Sequence, residues 1–394
     1  MYIKKVLPIL LSVIILVFSV VVVSNSTQTK TVQANTSTID QTNEDEPMRG
    51  VWVSYITLDM ENTDKSKETF ESKIDDIIEN IKSSGFNTMI AQVRPFCDAL
   101  YKSSYFPYSH ILSGTQGESA GYDALKIMSE KCRENKLSLH IWINPYRVRI
   151  NESPRSLSDD NPYVTDKSIG FEINGNIYLN PASKKVQKLI VDGVTEIVKN
   201  YDIDGIQFDD YFYPENCGDF DEEEYHNSNT ELSLSEWRKD NVSSMIKKCY
   251  NSIKEINKNV VFGISPQGNI NNNEGLYADV YKWCEEDGYI DYICPQIYFS
   301  LDNPALTFEE SLKMWAQINK HKNLKVYVGL AGYKAQSDAD SGTWLDNTDI
   351  LESETKIADK YTDGIMLYSY ESLISSQGEE EIQNVVRYLT TPTQ

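Results

Sequence analysis

Eight times after residue 48, a short run of β-forming apolar residues gives way to a segment of helical periodicity. The predicted strands are 50–56, 87–93, 137–144, 205–209, 260–265, 289–298, 325–330 and 364–370. Between them, apolar residues fall on one helical face. Ile74, Ile77, Ile78 and Ile81 stand at i, i+3, i+4 and i+7, and Val186, Leu189, Ile190, Val194, Ile197 and Val198 mark a second such face. Strands that alternate with helices pair in parallel through crossovers, and eight such units close into an α/β (β/α)8 TIM barrel. A doubly wound open sheet is the competing architecture. It calls for a glycine-rich phosphate turn after the first strand, where this chain has Tyr55-Ile56-Thr57-Leu58.

The punctuation agrees with a barrel. Gly85, Asn135 and Gly288 stand at helix C-capping positions just before strands two, three and six, while the loops after the strands are long. Long loops at one end direct attention to the C-terminal mouth. Every second strand residue faces the axis. Counting toward that mouth puts Gln92 and Arg94 in phase on strand two, His140, Trp142 and Asn144 on strand three, and Gln207, Asp209 and Tyr211 on strand four. Strand five ends in Ser265-Pro266-Gln267, strand six gives Gln296 and Tyr298, and strand eight gives Tyr368 and Tyr370 with Glu371 next. Polar groups on so many strand ends cost desolvation energy unless they bond one another or a ligand.

The segment from Asp204 to Pro214 ends an apolar strand in two adjacent carboxylates. Glycoside cleavage needs a carboxyl to protonate the leaving oxygen, and usually a second as nucleophile or base. Asp209, in phase with Gln207, is the first candidate. Asp210 is expected to point the other way, to orient a neighbour, cap the next turn or supply the second role. Strand seven ends in Gly329-Leu330-Ala331-Gly332-Tyr333 without an acid. Glu371 is therefore the candidate partner, with Asp98 and Glu215 as alternatives, unless a 2-acetamido group of the substrate attacks in place of a protein carboxylate. Arg94 is expected to bind a carboxylate, such as a lactyl or uronate group, to hold a catalytic Asp ionised, or to make a salt bridge at the mouth. Asn144, Gln207, Gln296, Tyr298, Trp142, Tyr211 and Tyr370 are the remaining candidates for sugar contacts, by hydrogen bonding or stacking. No His-x-His, His-Glu-x-x-His, Gly-x-Ser-x-Gly or P-loop pattern occurs, so neither a metal nor an organic cofactor is expected.

Composition enters at three points. The formal net charge of −22 repels phosphate backbones and makes nucleic acid an unsuitable partner. Lys4 and Lys5 precede an apolar run from Val6 to Val23, so residues 1–23 read as a cleaved export signal or a retained membrane anchor. Either puts the folded part outside the cytoplasm, secreted or held at the envelope. Residues 24–47 are polar and acidic and read as a disordered linker ahead of a barrel over 48–390. Of the six cysteines, Cys132, Cys249, Cys284 and Cys294 fall on predicted elements as small buried hydrophobes, while Cys97 and Cys217 sit in mouth loops where a bridge can be imagined.

The runs Arg49 to Val53, Asn87 to Pro95, Asp98 to Tyr101, Trp142 to Arg147, Asp204 to Pro214, Ile264 to Pro266 and Pro295 to Tyr298 together resemble glycosyl-hydrolase-like family 10. That is a barrel family of bacterial envelope proteins, and the likeness covers about residues 48–388. The resemblance implies a (β/α)8 barrel and hydrolysis of an O-glycosidic bond, with peptidoglycan glycan strands stripped of peptide as one relative's substrate. The Asp204–Tyr211 run is also loosely similar to the fourth-strand motif of family 18 chitinases, but the terminal Glu of that motif is missing here. The expected activity is a glycoside hydrolase acting on a cell-wall or related amino-sugar polysaccharide. The alternative is a sugar-binding envelope protein on a catalytically silent barrel.

Overall fold

A computed structural model describes residues 46–391 other than Asp346. The segment expected to be a signal or anchor, and the linker up to residue 45, lie outside the described residues. Among those described, no helix is long and apolar enough to cross a membrane.

Eleven strands are present among these residues: β1 (Met48–Val53), β2 (Thr88–Arg94), β3 (Ser138–Ile143), β4 (Arg147–Arg149), β5 (Gly170–Ile173), β6 (Asn176–Leu179), β7 (Gly205–Phe208), β8 (Val261–Ile264), β9 (Tyr292–Ile293), β10 (Lys325–Ala331) and β11 (Gly364–Tyr368). Eight of them close a parallel barrel in the order β1-β11-β10-β9-β8-β7-β3-β2. The crossovers are the helices Lys67–Ser83, Ala124–Glu134, Lys184–Asn200, Leu234–Ile256, Val280–Glu285, Phe308–Ile318 and Ile350–Ala358, and an eighth helix, Glu379–Thr390, follows the last strand. The expected (β/α)8 TIM barrel is thus the observed fold. Ile74, Ile77, Ile78 and Ile81 are buried, as their spacing requires.

The strand bounds shift where local chemistry intervenes. The first strand stops at Val53, and Tyr55–Leu58 forms a single helical turn. The sixth narrows to Tyr292–Ile293 because Pro295 has no N–H for the ladder. Bridges from Gln296 to Gln267 and to Gly329 carry the pairing on past it.

A regular device closes the N-terminal end. The residue ahead of every second barrel strand exchanges two hydrogen bonds with one residue of the preceding strand. Asn87 donates its N–H to Arg49 O (2.9 Å) and accepts from Arg49 N through Oδ1 (2.9 Å). Asp204 does the same with Leu139 (2.9 and 2.8 Å), Asp291 with Phe262 (2.7 and 2.7 Å) and Asp363 with Val326 (2.7 and 2.9 Å). A side-chain oxygen placed one residue before the strand completes the ladder where the backbone alone leaves a donor free.

Apolar residues pack in two shells. The larger lies between barrel and helices. The inner one holds Trp52, Ile90, Trp142, Tyr292, Cys294 and Met366 within the barrel. Gly263 makes room for it, since a Cβ there would stand 2.2 Å from the Tyr292 ring. The loop between β3 and the helix Lys184–Asn200 carries an antiparallel sheet, β4-β6-β5, that strand alternation did not predict. All six cysteines are free and buried. The imagined Cys97–Cys217 bridge does not form, and Arg238 Nη1 lies 3.2 Å from Cys217 Sγ instead.

Candidate active site

At the C-terminal mouth lies a cavity of about 360 Å³ bounded by Trp52, Trp142, Asp209, Asp210, Gln296 and Tyr298 among others. Asp209 is buried at its wall, just beyond the last residue of β7. One of its oxygens, Oδ2, accepts from Trp142 Nε1 (3.1 Å) and from Asn144 Nδ2, and Oδ1 accepts from Tyr211 N (3.3 Å). The amide of Asn144 is oriented by a directional relay. The Tyr55 N–H donates to Gln92 Oε1 (3.0 Å), which turns Gln92 Nε2 toward Asn144 Oδ1 (2.5 Å) and leaves Asn144 Nδ2 for Asp209. Each member therefore has one hydrogen-bonding sense available.

Asp210 also faces the cavity, contrary to the expected alternation. β7 ends at Phe208, so strand parity no longer governs the residues after it. Its Oδ2 accepts from Gln267 Nε2 and its Oδ1 from Gln296 Nε2 (3.0 Å), while Gln296 Nε2 also reaches Ser265 O (2.8 Å).

Burial pushes the Asp209 carboxyl up to about 7, and the neighbouring Asp210 adds to the rise. Arg147, Trp142 and the Tyr211 N–H oppose it. Burial raises Asp210 as well, against the two glutamine amides and Arg147. Two adjacent buried carboxyls do not both ionise readily, so the pair keeps a proton close to neutral pH. A protonated acid beside an amide-bonded partner is the arrangement that acid-assisted cleavage of an acetal requires.

Much of the remaining wall is aromatic. Tyr298, Tyr333 and Tyr368 have ring centroids 5.8 to 5.9 Å apart, and Trp52 and Trp142 each meet Tyr368 edge-on at 6.1 and 6.4 Å. Gln207 lies below them in the barrel. It accepts from Trp52 Nε1 (2.6 Å) and approaches Met366 Sδ (3.3 Å), so it sets the indole rather than lining the cavity. Lys334 closes one side, donating to Tyr298 O (2.6 Å) and Asp340 Oδ1 (2.8 Å). The loop carrying Tyr211 is held from behind by buried Arg238, whose Nε reaches both Asp221 oxygens (3.1 and 3.0 Å).

Besides Gln207, three expected site residues lie elsewhere. A β-bulge between Gln92 and Arg94 reverses the phase of β2. Arg94 is thereby turned to the outer shell, with its guanidinium 4.1 Å over the Phe106 ring and facing Gly193. Tyr370 and Glu371 belong to a short helix, Tyr370–Ile374, that begins once β11 has ended. The Tyr370 hydroxyl bonds Asn80 Nδ2 (2.9 Å) on the outer helix Lys67–Ser83. Glu371 accepts from Ser54 Oγ (3.4 Å) and from the hydroxyls of Thr57 and Ser369, and it is not among the cavity residues. Of the alternatives, Asp98 is buried against His110 (3.3 Å) and Gln116 (3.0 Å), and Glu215 is exposed off the cavity.

In the other direction, the structure adds Tyr333, Lys334, Asn272 and Phe299 to the cavity. It also adds Arg147 at the margin, 4.6 Å over the Tyr211 ring. Arg147 stands three residues after Asn144 in the Trp142–Arg147 run, and that position was the signal available for it.

Residues 47–346 match the family described as glycosyl hydrolase-like 10. The chain is 32% identical over 336 residues to glycosyl hydrolase YngK of Bacillus subtilis (strain 168), an alignment covering 79% of this chain and 65% of that protein's length. It is 30% identical over 325 residues to glycosyl hydrolase DigH of Escherichia coli (strain K12), covering 73% of this chain and 74% of DigH. Among solved structures, the PgaB (BpsB) glycoside hydrolase domain from Bordetella bronchiseptica shares the fold at 10% identity and a TM-score of 0.59, over 86% of this chain and 98% of that one. The α-L-fucosidase isoenzyme 2 from Paenibacillus thiaminolyticus does so at 12% identity and a TM-score of 0.55, over 87% of this chain and 49% of that one.

Proposed function

The chain belongs to the glycosyl hydrolase-like 10 family, and from that premise we propose that it hydrolyses O-glycosidic bonds of an amino-sugar polysaccharide, peptidoglycan glycan strands foremost. It works outside the cytoplasm, where the apolar run after Lys4 and Lys5 would direct it. The carrying observation is the placement of the acids. Among the described residues lining the cavity, the carboxyls are Asp209 and Asp210, side by side on one strand end. Enzymes with two flanking carboxylates set them across the sugar from each other, about 5 to 9.5 Å apart. A pair of consecutive residues suits a substrate that brings its own nucleophile.

In this reading Asp209, protonated near neutral pH, gives its proton to the leaving glycosidic oxygen as the C1–O bond breaks. The acetamido carbonyl oxygen of the same sugar forms the new bond to C1. Asp210, held by Gln267 and Gln296, accepts the acetamido N–H and steadies the positive charge that develops. Water then attacks C1 as its bond to the acetamido oxygen breaks, which regenerates the acetamido group, and yields a proton to Asp209; this restores the enzyme and retains the anomeric configuration. The tyrosines and tryptophans supply apolar faces for the ring.

The same lack of a carboxylate across the cavity is what a silent, sugar-binding barrel would show. Incubation of peptide-free glycan strands and N-acetylglucosamine oligomers with the purified protein separates the two readings. Release of new reducing ends is expected. Tight binding with no cleavage over long incubation would favour the silent barrel.

A further inference from the structure

Among the described residues the Arg147 side chain makes no ion pair and no hydrogen bond, and its Nε is buried without a partner. Its guanidinium lies 4.6 Å over the Tyr211 ring and 6.0 Å from the centre of Phe96. Its charge reaches Asp209, Asp210 and Tyr368, all on the cavity wall. Nor is its place an accident of a loose loop. The inserted sheet fixes it, because Arg147 pairs with Tyr178 where β4 meets β6.

A half-buried guanidinium loses hydration without recovering hydrogen bonds, which is costly unless a ligand supplies them. Five N–H donors in a planar fork match a carboxylate. The Tyr211 ring, 4.6 Å from the guanidinium carbon, attracts the charge through its face and takes none of the N–H donors.

We propose that Arg147 is a specificity residue that binds a carboxylate carried by the sugar chain, such as an O-lactyl ether on an amino sugar left free of peptide. This rests on the reading above and narrows it. Of the saccharides that the acid pair could cleave, those with an unmasked acidic substituent are taken preferentially. A strand whose carboxylates are capped as amides offers the fork no anion. The role expected of Arg94 from sequence thus falls to an arginine from a different segment.

The test uses the full chain and two forms of one substrate: peptide-free glycan strands, and the same strands with carboxylates reduced to alcohols. The parent is expected to prefer the carboxylate form by roughly 10- to 100-fold in kcat/KM, mostly through KM. In Arg147→Gln that ratio collapses toward one, and Arg147→Lys restores part of it. A parent indifferent to reduction overturns the proposal. So does an equal fall on both substrates with a displaced pH profile, because Arg147 would then only tune Asp209 and Asp210. If neither form is cleaved, the hydrolase reading has failed, and calorimetric binding of the two glycans decides the present one. A preference for the carboxylate form that Arg147→Gln abolishes supports it. Equal affinity, or binding of neither, overturns it.

Discussion

Asp209 with Asp210 and Glu354 with Glu381 are two buried carboxyl pairs of opposite character. Each pair includes a group raised to about 7, Asp209 in one and Glu381 in the other, and burial is the main cause in both. At the mouth, three N–H donors meet Asp209 and two glutamine amides meet Asp210. In the helical shell, Glu354 has no hydrogen bond on either oxygen, and Glu381 takes one, from Leu351 N (2.9 Å). Neither glutamate lines the cavity. A raised pKa marks burial first, and it marks a reactive site only where donors orient the group and a cavity gives a ligand access. The first pair meets both conditions and the second meets neither.

The contrast breaks most visibly in turnover. Asp209→Asn should lower kcat on glycan strands by about 10²- to 10⁴-fold, while Glu381→Gln leaves it within about twofold. Undiminished activity in the Asp209 variant would remove that residue from the chemistry. Stability should respond the other way round. In the parent, Glu381 must ionise against burial as pH climbs from about 4.5 through 7, so the fold loses free energy over that interval. Gln at 381 keeps an oxygen for Leu351 N and does not ionise. Denaturant titrations should find the variant more stable by about 3 kcal/mol above pH 7 and equal to the parent at pH 4. A gain that persists at pH 4 would mean that burial of the charge is not its source.

Smaller effects test the amides and the aromatic wall. Gln296→Leu takes one donor from Asp210, which favours its protonated form. About a tenfold fall in kcat/KM is expected, with the acidic limb of the profile moved to higher pH. Tyr333→Ala, at the edge of the aromatic cluster, should raise KM by about 3- to 10-fold and leave kcat alone. A fall in kcat instead would place Tyr333 against the reacting centre.

The eight-fold alternation was readable because each unit announces itself locally, by a short apolar run and then a helical stripe. Asp209, Gln296 and Tyr298 face the cavity as strand parity predicts, although each lies past the last residue of its strand. Parity failed at other places where a strand was interrupted or over. The bulge after Gln92 turned Arg94 outward, and the early end of β11 gave Tyr370 and Glu371 to a helix. Asp210 failed in the opposite sense, gaining the cavity because β7 had stopped. Arg147 lay beyond such counting altogether. What puts it near the acids is pairing between 147–149 and 176–179, a contact with no periodicity in the sequence to announce it.

The bonds that staple the far end of the barrel have a bearing on the mouth. Counting five residues onward from Asn87, Asp204, Asp291 and Asp363 arrives at Gln92, Asp209, Gln296 and Tyr368. Each quarter of the barrel thus carries a ruler zeroed at its floor, and all four rulers read out chemistry at the same mark. Inserting or deleting one residue along any of them would present a neighbour in place of the working group. The alignment of the rim is therefore gauged from the end that never meets a sugar.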